Sequence, residues 1–156
     1  MRGVHIHRLE VRFGDCDPAG IVYFPRFFDF FHDAMETWFS AALGLSYAQV
    51  VMGRKIGFPA VHSEADFKVP CAFGEAIAVE LRVAQLGRSS IALAYLVRGA
   101  DGGLRLTGAT TCVVMDLDPA SPSFRRAIAI PDDLRARIER FIAVDRVEEA
   151  AVREDS

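Results

Sequence analysis

Two acids, Asp15 and Asp17, lie one residue apart in the stretch "FGDCDPAGIVYFP". A carboxylate in such a loop can attack an acyl carbon directly, or it can take a proton from a water molecule that attacks instead. Pro25 lacks an N–H and suits the first position of a helix, so we expect a helix to start directly after the loop. Backbone amides around Phe24 would then lie at the positive end of that helix, where they can stabilise an oxyanion. The stretch therefore has the parts that acyl transfer needs.

The same loop also has a purely structural interpretation. Asp-Pro and glycine are common turn formers, and a turn aspartate often accepts hydrogen bonds from backbone amides. Gly20 fits either view, because a glycine permits a tight turn and also lets the backbone approach a ligand closely. Taken alone, the residue types leave both interpretations open.

The elements that hold this loop are predicted from hydrophobic periodicity. His5 to Phe13 alternates as a half-buried strand does. From Pro25 to Leu43 the spacing becomes helical and the apolar stripe is wide, so we expect this helix to be enclosed over much of its circumference and to end at Gly44. The apolar residues of the helix are Phe27, Phe28, Phe30, Phe31, Ala34, Met35, Trp38, Phe39 and Ala42.

The second half of the chain is predicted to form antiparallel strands joined by tight turns. Alternation runs through "AVHSEADFKV" and from Ile77 to Val83, and turns are expected at "LGRSS" and "GADGG". After Pro131 a last helix is expected, with Leu134 and Ile138 on its apolar face. The predicted fold class is α+β, with a curved antiparallel sheet of about five strands wrapped around one long helix, plus a C-terminal helix.

Length and composition set the remaining limits. The 156 residues suit one domain, assigned to 1–143, and the charged, aperiodic residues 144–156 are expected to form a disordered or frayed tail. A net charge of −3 without a basic block argues against nucleic-acid or membrane partners. An exposed sheet edge can pair with a second copy, so we expect a homodimer or a homotetramer.

Location and metal binding are predicted from what the sequence lacks. Three cysteines without paired spacing suit a reducing compartment, and no apolar run resembles a signal peptide or a membrane span, so a cytoplasmic location is predicted. His5 and His7 share a strand face but have no evident third ligand, so we predict no metal site. A serine hydrolase is not indicated, because the G-x-S-x-G pattern does not occur.

The loop from Phe13 to Pro25 resembles the active-site loop of the 4-hydroxybenzoyl-CoA thioesterase family, and the order of elements resembles that family from Val4 to Asp116. The resemblance implies the hotdog fold, an active site at a dimer interface, and coenzyme A as the carrier of the acyl group, with no separate cofactor. It also implies that the second acid, Asp17, is catalytic. We assign loop stabilisation to Asp15, because two ionised carboxylates so close together would hinder each other.

Substrate contacts are predicted on both sides of this loop and at a distant turn. Tyr23 and Phe24 adjoin the loop and can flank an aromatic or other apolar acyl group, while the Phe24 amide is the candidate oxyanion donor. His32 falls where the type enzyme of the family can have an acid, and the turn 88–90 corresponds to the one that serves coenzyme A in the family. The predicted substrate-binding residues are Gly20, Tyr23, Phe24, His32, Arg88, Ser89 and Ser90.

The resulting hypothesis is an acyl-CoA thioesterase for a benzoyl-type or hydroxybenzoyl-type acyl group. Two alternatives stay open: a thioesterase for short aliphatic acyl-CoA or acyl-carrier-protein substrates, and a non-catalytic acyl-CoA-binding protein of the same fold. Hotdog dehydratases use a histidine near the helix start, where this chain has Val22 and Tyr23. Sequence alone does not decide whether Asp17 is a nucleophile or a general base.

Overall fold

A computed structural model of the protein describes residues 3–142, and its central feature is a five-stranded antiparallel sheet. In chain order the strands are β1 (His5–Glu10), β2 (Ile56–Gly57), β3 (Ala60–Phe67), β4 (Ala76–Leu86), β5 (Ser90–Arg98), β6 (Leu104–Val113) and β7 (Met115–Asp116). The large sheet has the order β1-β4-β5-β6-β3, and β2 pairs with β7 separately. This architecture confirms the predicted fold class.

One long helix, α1 (Arg26–Trp38), packs against the sheet, as predicted. A π-helical turn, Phe39–Leu43, extends it, and Gly44 ends it with a φ of 67°. Glycine adopts this left-handed conformation without steric cost, which explains why the helix stops there. A second π-helical turn spans Gln49–Gly53, and a C-terminal helix, α2, spans 132–142. The predicted helix after Pro131 is thereby confirmed.

The core lies between α1 and the sheet. Phe31 stacks on Tyr95 of β5 with ring centroids 4.3 Å apart and planes 5° apart. Trp38 is fully buried and meets Phe39 and Phe141 edge to face. The wide apolar stripe predicted for α1 is thus largely confirmed, with Ala42 as the exception because it is exposed.

The first strand is shorter than predicted. It ends at Glu10 rather than Phe13, and Phe13–Asp15 form a short 3-10 turn instead. Val11 is buried as expected, but the change of backbone direction leaves the Phe13 ring 84% exposed. The predicted domain boundary at residue 143 and the predicted tail 144–156 lie outside the described residues.

The edge strands of the large sheet are β1 and β3, and β3 is the more exposed of the two. Its backbone pairs with β6 on one side, which leaves the other side as an edge within the described chain. Pairing of this edge with a second copy remains a prediction. None of the described helices is long and apolar enough to cross a membrane.

Two histidines of β1 meet α1 at one threonine. Within β1, His5 pairs in register with Leu81, which is fully buried, so His5 faces the core side of the sheet. Its Nε2 atom lies 2.8 Å from the Thr37 hydroxyl, and His7 Nδ1 lies 3.4 Å from the same oxygen. Desolvation and then the neighbouring His7 hold the pKa of His5 below its ordinary value of 6.5.

This arrangement predicts that acid weakens the fold. Because the pKa of His5 is lower in the folded state, the unfolded chain binds the proton more readily, and stability rises with pH. We expect the contribution of His5 to be fully present above 6.5 and to decline as the pH falls from 6.5 towards the lowered pKa. Urea unfolding from about pH 8 to about pH 5 measures this slope. His5→Gln should reduce the dependence of the free energy of unfolding on pH. An unchanged slope in that variant would show that His5 is not its source.

Candidate active site

The loop that carries Asp17 is a tight hairpin held by its own backbone. Asp17 donates its N–H to the Ile21 carbonyl at 3.0 Å, and its carbonyl accepts the Gly20 N–H at 3.0 Å. Gly20 makes the turn possible with a φ of 76°. The half-buried Asp17 side chain accepts the Ala19 N–H on Oδ1 at 2.8 Å. Within residues 3–142 no hydrogen bond reaches Oδ2, so this oxygen is available for chemistry.

Asp15 has a different environment from Asp17. Its buried carboxylate accepts the Arg12 N–H at 2.9 Å and the Arg26 guanidinium at 3.1 Å. Its carbonyl accepts the Tyr23 N–H at 2.9 Å. Asp15 therefore ties the start of the loop to the start of α1, as expected for a residue that stabilises the loop.

The start of α1 leaves one amide without a partner. Arg26 donates its N–H to the Tyr23 carbonyl at 2.9 Å, and Phe27 donates to the Phe24 carbonyl at 3.2 Å. Pro25, which has no N–H, stands at the N-cap. Among the described residues the Phe24 N–H donates to no protein acceptor, so it is a free donor at the positive end of the helix.

Aromatic rings gather on the helix side of the loop. Tyr23 and Phe24 are about half exposed and lie 5.6 Å apart between ring centroids. Phe67, at the end of β3, meets Phe24 at 6.1 Å and Phe27 at 5.8 Å. Tyr23 and Phe24 are predicted from the sequence, but Phe67 is not, because it joins them only where the end of β3 reaches the start of α1.

His32 lies on the exposed face of α1, further along the helix. Its Nε2 atom is 2.9 Å from Glu36 Oε1, and its ring meets Tyr47 edge to face at 5.7 Å. Within the described chain, these contacts keep it on the helix surface rather than against the acid loop. A substrate contact by His32 therefore stays a prediction.

The turn of Arg88, Ser89 and Ser90 lies at the far end of the sheet from Asp17. The acid loop follows β1, whose Glu10 pairs with Ala76 at the start of β4, whereas the turn follows the end of β4. The 11 residues of β4 span roughly 33 Å at about 3.3 Å per residue. One chain therefore does not bring the turn and the acid loop together.

The segment 71–75 supports the acid loop from the side. Phe73 donates its N–H to the Gly20 carbonyl at 2.9 Å, and Gly74 donates to the Val11 carbonyl at 2.8 Å. Burial would raise the pKa of Glu75, but backbone N–H donors and Arg105 outweigh burial and hold the pKa below its usual range. Arg105 contacts the Glu75 carboxylate at 2.7 Å. The ion pair fixes the segment on which the loop rests.

A cleft of about 460 Å³ opens beside Asp17. Phe13 and Phe73 form its apolar wall, with ring centroids 6.2 Å apart and planes at 83°. Desolvation, and then the neighbouring carboxylates of Asp15 and Asp17, raise the pKa of the Cys16 thiol in this cleft. The lining residues are Phe13, Cys16, Asp17, Pro18, Gly20 and Phe73. Phe13 and Phe73 are not among the site residues predicted from the sequence. No group of three or more potential metal ligands occurs among the described residues.

Comparison with known proteins places this loop in a family context. Residues 11–138 match the family model described as Thioesterase-like superfamily. A 1,4-dihydroxy-2-naphthoyl-CoA hydrolase from Prochlorococcus marinus (strain MIT 9303) is 34% identical over 98 residues, which cover 58% of this chain and 64% of that protein. The chain thus spans 64% of the length of this relative and 62% of the length of the one from Synechococcus elongatus, less than two thirds in each case.

Solved structures show the same architecture. A 1,4-dihydroxy-2-naphthoyl-CoA thioesterase from Synechocystis superposes with a TM-score of 0.76 at 26% identity, over 87% of this chain and 96% of that one. A 4-hydroxybenzoyl CoA thioesterase mutant complexed with 4-hydroxybenzoyl CoA gives a TM-score of 0.76 at 25% identity, over 87% and 99% of the two chains.

Proposed function

The chain belongs to the thioesterase-like superfamily and has the hotdog fold. We propose that it is an acyl-CoA thioesterase that hydrolyses an aromatic acyl-CoA with Asp17 as its catalytic carboxylate. The family agrees with the one predicted from the acid loop. One observation carries the proposal: among residues 3–142, the hairpin holds Asp17 by a single carboxylate oxygen and leaves the other without a hydrogen bond, next to a helix start whose Phe24 N–H has no acceptor either.

Two reaction routes suit this arrangement. In the first, an Asp17 oxygen bonds to the acyl carbon, the C–S bond breaks, coenzyme A leaves as the thiolate and takes up a proton, and water then opens the mixed anhydride. In the second, Asp17 takes a proton from water, the hydroxide attacks the acyl carbon, and the proton passes to the departing thiolate. In both routes the Phe24 N–H stabilises the oxyanion, and such a donor contributes on the order of 3 kcal/mol.

An aromatic acyl group is supported by the rings around the loop and by the relatives. Tyr23, Phe24 and Phe67 offer apolar surface beside the free donor. Aromatic rings bind well against other rings in edge-to-face or offset geometry. The names of the relatives specify dihydroxynaphthoyl and hydroxybenzoyl thioesters, which are also aromatic. Phe24 cannot donate a hydrogen bond from its ring, so the proposal does not include recognition of a ring hydroxyl by this residue.

The coenzyme A end of the substrate requires a second copy of the chain. If two β3 edges pair antiparallel about a two-fold axis, the partner sheet runs in the opposite direction. The partner's turn 88–90 then comes to the same end of the continuous sheet as the acid loop of this chain. We therefore place the Arg88, Ser89 and Ser90 contacts across a homodimer, which can assemble further into a tetramer.

Thiol release from a small substrate panel tests this function. The purified protein is assayed with benzoyl-CoA, 4-hydroxybenzoyl-CoA, butyryl-CoA and palmitoyl-CoA, and kcat/KM is compared. We expect the aromatic thioesters to be preferred by about tenfold or more, a ratio that an apolar pocket can supply. A preference for butyryl-CoA would be compatible with catalysis by Asp17 but would show that the acyl group is not aromatic. Binding of acyl-CoA without thiol release would instead indicate a non-catalytic binding protein.

A further inference from the structure

We infer that Arg26 is a positioning residue for thioester hydrolysis: through its ion pair with Asp15 it holds the Phe24 N–H in a fixed position relative to the acid loop. The inference rests on the proposed function. Arg26 is the first residue of α1, and its guanidinium lies 3.1 Å from Asp15 Oδ1. Asp15 stands two residues before Asp17, and Phe24 stands two residues before Arg26. The ion pair thus joins the two segments that carry the catalytic carboxylate and the oxyanion donor.

A closed set of three contacts surrounds this donor. The Asp15 carbonyl accepts the Tyr23 N–H at 2.9 Å, the Tyr23 carbonyl accepts the Arg26 N–H at 2.9 Å, and the Arg26 guanidinium returns to the Asp15 carboxylate. The Phe24–Pro25 segment lies inside this set, so both of its ends are fixed on Asp15. The proline ring also restricts the backbone of both residues of the segment. Few rotations are left that could turn the donor away.

The charge of Arg26 is unusual for its place in the helix. Unbonded N–H groups give the amino-terminal turn of a helix a partial positive charge, which favours acids there and disfavours cations. Asp15 offsets this cost, because its side chain is only 12% exposed and a charge-assisted hydrogen bond to a carboxylate is stronger than a neutral one. Helix stability alone therefore does not account for a cation at position 26, whereas the link to the acid loop does.

The second partner of the guanidinium, Asp29, belongs to the helix rather than to the loop. Arg26 Nη1 lies 3.1 Å from Asp29 Oδ2, one turn along α1, and the Asp29 side chain is 63% exposed. An exposed pair within one helix contributes little to stability. It does hold the guanidinium from the other side while Nη2 donates to Asp15. The contact with Asp29 thus orients Arg26 towards the loop.

A fixed donor matters for the rate of reaction rather than for substrate binding. An oxyanion donor acts on charge that develops in the transition state, and its effect depends on its position before the reaction begins. Complete loss of one such donor lowers kcat by about 10²–10³-fold. A donor that is retained but loosely held should cost less than its complete loss. The expected signature of Arg26 is therefore a moderate fall in kcat at nearly constant KM.

Arg26→Gln tests this role. It should lower kcat for benzoyl-CoA by roughly fivefold to twentyfold and change KM by less than about twofold. Affinity for a thioether analogue, in which a methylene separates the carbonyl from the sulfur, should stay within about twofold of wild type. Arg26→Lys keeps the cation but not the forked donor geometry, so it should recover part of kcat. Arg54→Gln is the matched control, because it removes the ion pair with Asp133 at the start of the separate helix α2 and should leave both constants unchanged.

A double substitution shows whether Arg26 acts through Asp15. In an Asp15→Asn background the carboxylate charge is already gone, so Arg26→Gln should lower kcat by less than about twofold further. A further loss of about fivefold or more would mean that the guanidinium acts by another route, and would overturn the positioning role. Circular dichroism of each variant separates loss of fold from loss of rate.

These outcomes separate the role of Arg26 from the function on which it rests. If the wild-type protein releases no thiol from any acyl-CoA, the proposed function fails. If it is active and Arg26→Gln keeps the kcat of Arg54→Gln, or loses affinity for the analogue at unchanged kcat, the function stands and the positioning role is wrong. If Arg26→Gln does not fold, the folded Arg26→Lys variant decides: a lowered kcat at unchanged KM supports the role, and a wild-type kcat overturns it.

Discussion

Asp17→Asn is expected to lower kcat for aromatic acyl-CoA by roughly 10²–10⁴-fold, the range that a positioned general base contributes. Asparagine has nearly the same shape as aspartate, and its side-chain oxygen can still accept the Ala19 N–H that holds Oδ1 at 2.8 Å. The hairpin should therefore be retained. The amide is neither a base nor a nucleophile, so the chemistry is lost while the fold remains. Steady-state thiol release, with circular dichroism as a check of folding, measures this effect.

Asp15→Asn is the matched control, one residue away in the same loop. The Asp15 carboxylate is bonded to the Arg26 guanidinium and the Arg12 N–H, so Asp15→Asn should mainly lower the free energy of unfolding. Its effect on kcat should be much smaller than that of the Asp17 change. If Asp17→Asn folds normally and keeps wild-type turnover, or if Asp15→Asn removes more activity, the assignment of the catalytic acid is wrong.

Gly108→Ala is expected to destabilise the fold by roughly 1–3 kcal/mol, the usual cost of overpacking a core. A Cβ at this position would lie far inside van der Waals contact of Phe31 Cζ and Cε2. Phe31 cannot move away easily, because it is buried and stacked on Tyr95. Gly108 pairs with Tyr95 across β5 and β6, so the glycine makes room for the helix ring beside the sheet. Urea unfolding at equilibrium measures the loss.

Gly53→Ala provides the matched control for this prediction. Among the described residues, no atom beyond its chain neighbours and its own helical turn lies within 4 Å of a Cβ built at Gly53, so the same substitution should be neutral or slightly stabilising there. Phe31→Leu should restore part of the stability when combined with Gly108→Ala, because it removes the atoms that clash. Equal stabilities of Gly108→Ala and Gly53→Ala would mean that Phe31 does not pack as described.

Periodicity predicted the main elements because those elements bury one face each. The alternation from Ile77 to Val83 corresponds to the buried residues of β4, and the helical stripe through Phe31 and Trp38 corresponds to the core face of α1. Given the order of strand, helix and meander, only a few arrangements of the sheet can then cover the apolar face of the helix. Gly44 is predictable as the end of the long helix for a different reason: the conformation of a glycine cap is local and does not depend on distant contacts.

The end of β1 could not be predicted from the same pattern. Phe13 continues the alternation of the strand, yet the chain leaves the sheet after Glu10 and the ring points into the open cleft. A two-residue period does not reveal where pairing stops, because that depends on the neighbouring strand. Here β4 begins at Ala76, opposite Glu10; Val11 still bonds Glu75 and Gly74, and the 3-10 turn Phe13–Asp15 then directs the chain away from the sheet.

The site was predictable only where its residues are neighbours in the sequence. Asp17 and Phe24 lie in one loop, so their proximity follows from the chain itself. Phe67 and Phe73 reach the loop through the path from β3 to β4, which no local pattern specifies. The turn 88–90 illustrates the opposite case: it lies at the far end of β4 from the acid loop in the same chain, so its proposed substrate contact depends on the proposed second copy.

Thioester hydrolysis by Asp17 is tested by the amounts of coenzyme A and benzoate formed from benzoyl-CoA by the wild-type protein and by Asp17→Asn, at equal concentrations of folded protein. We expect equimolar coenzyme A and benzoate from the wild-type protein over many turnovers, and a rate lower by roughly 10²–10⁴-fold with the variant. Equal rates for the two proteins, or no benzoate from the folded wild-type protein, would contradict it.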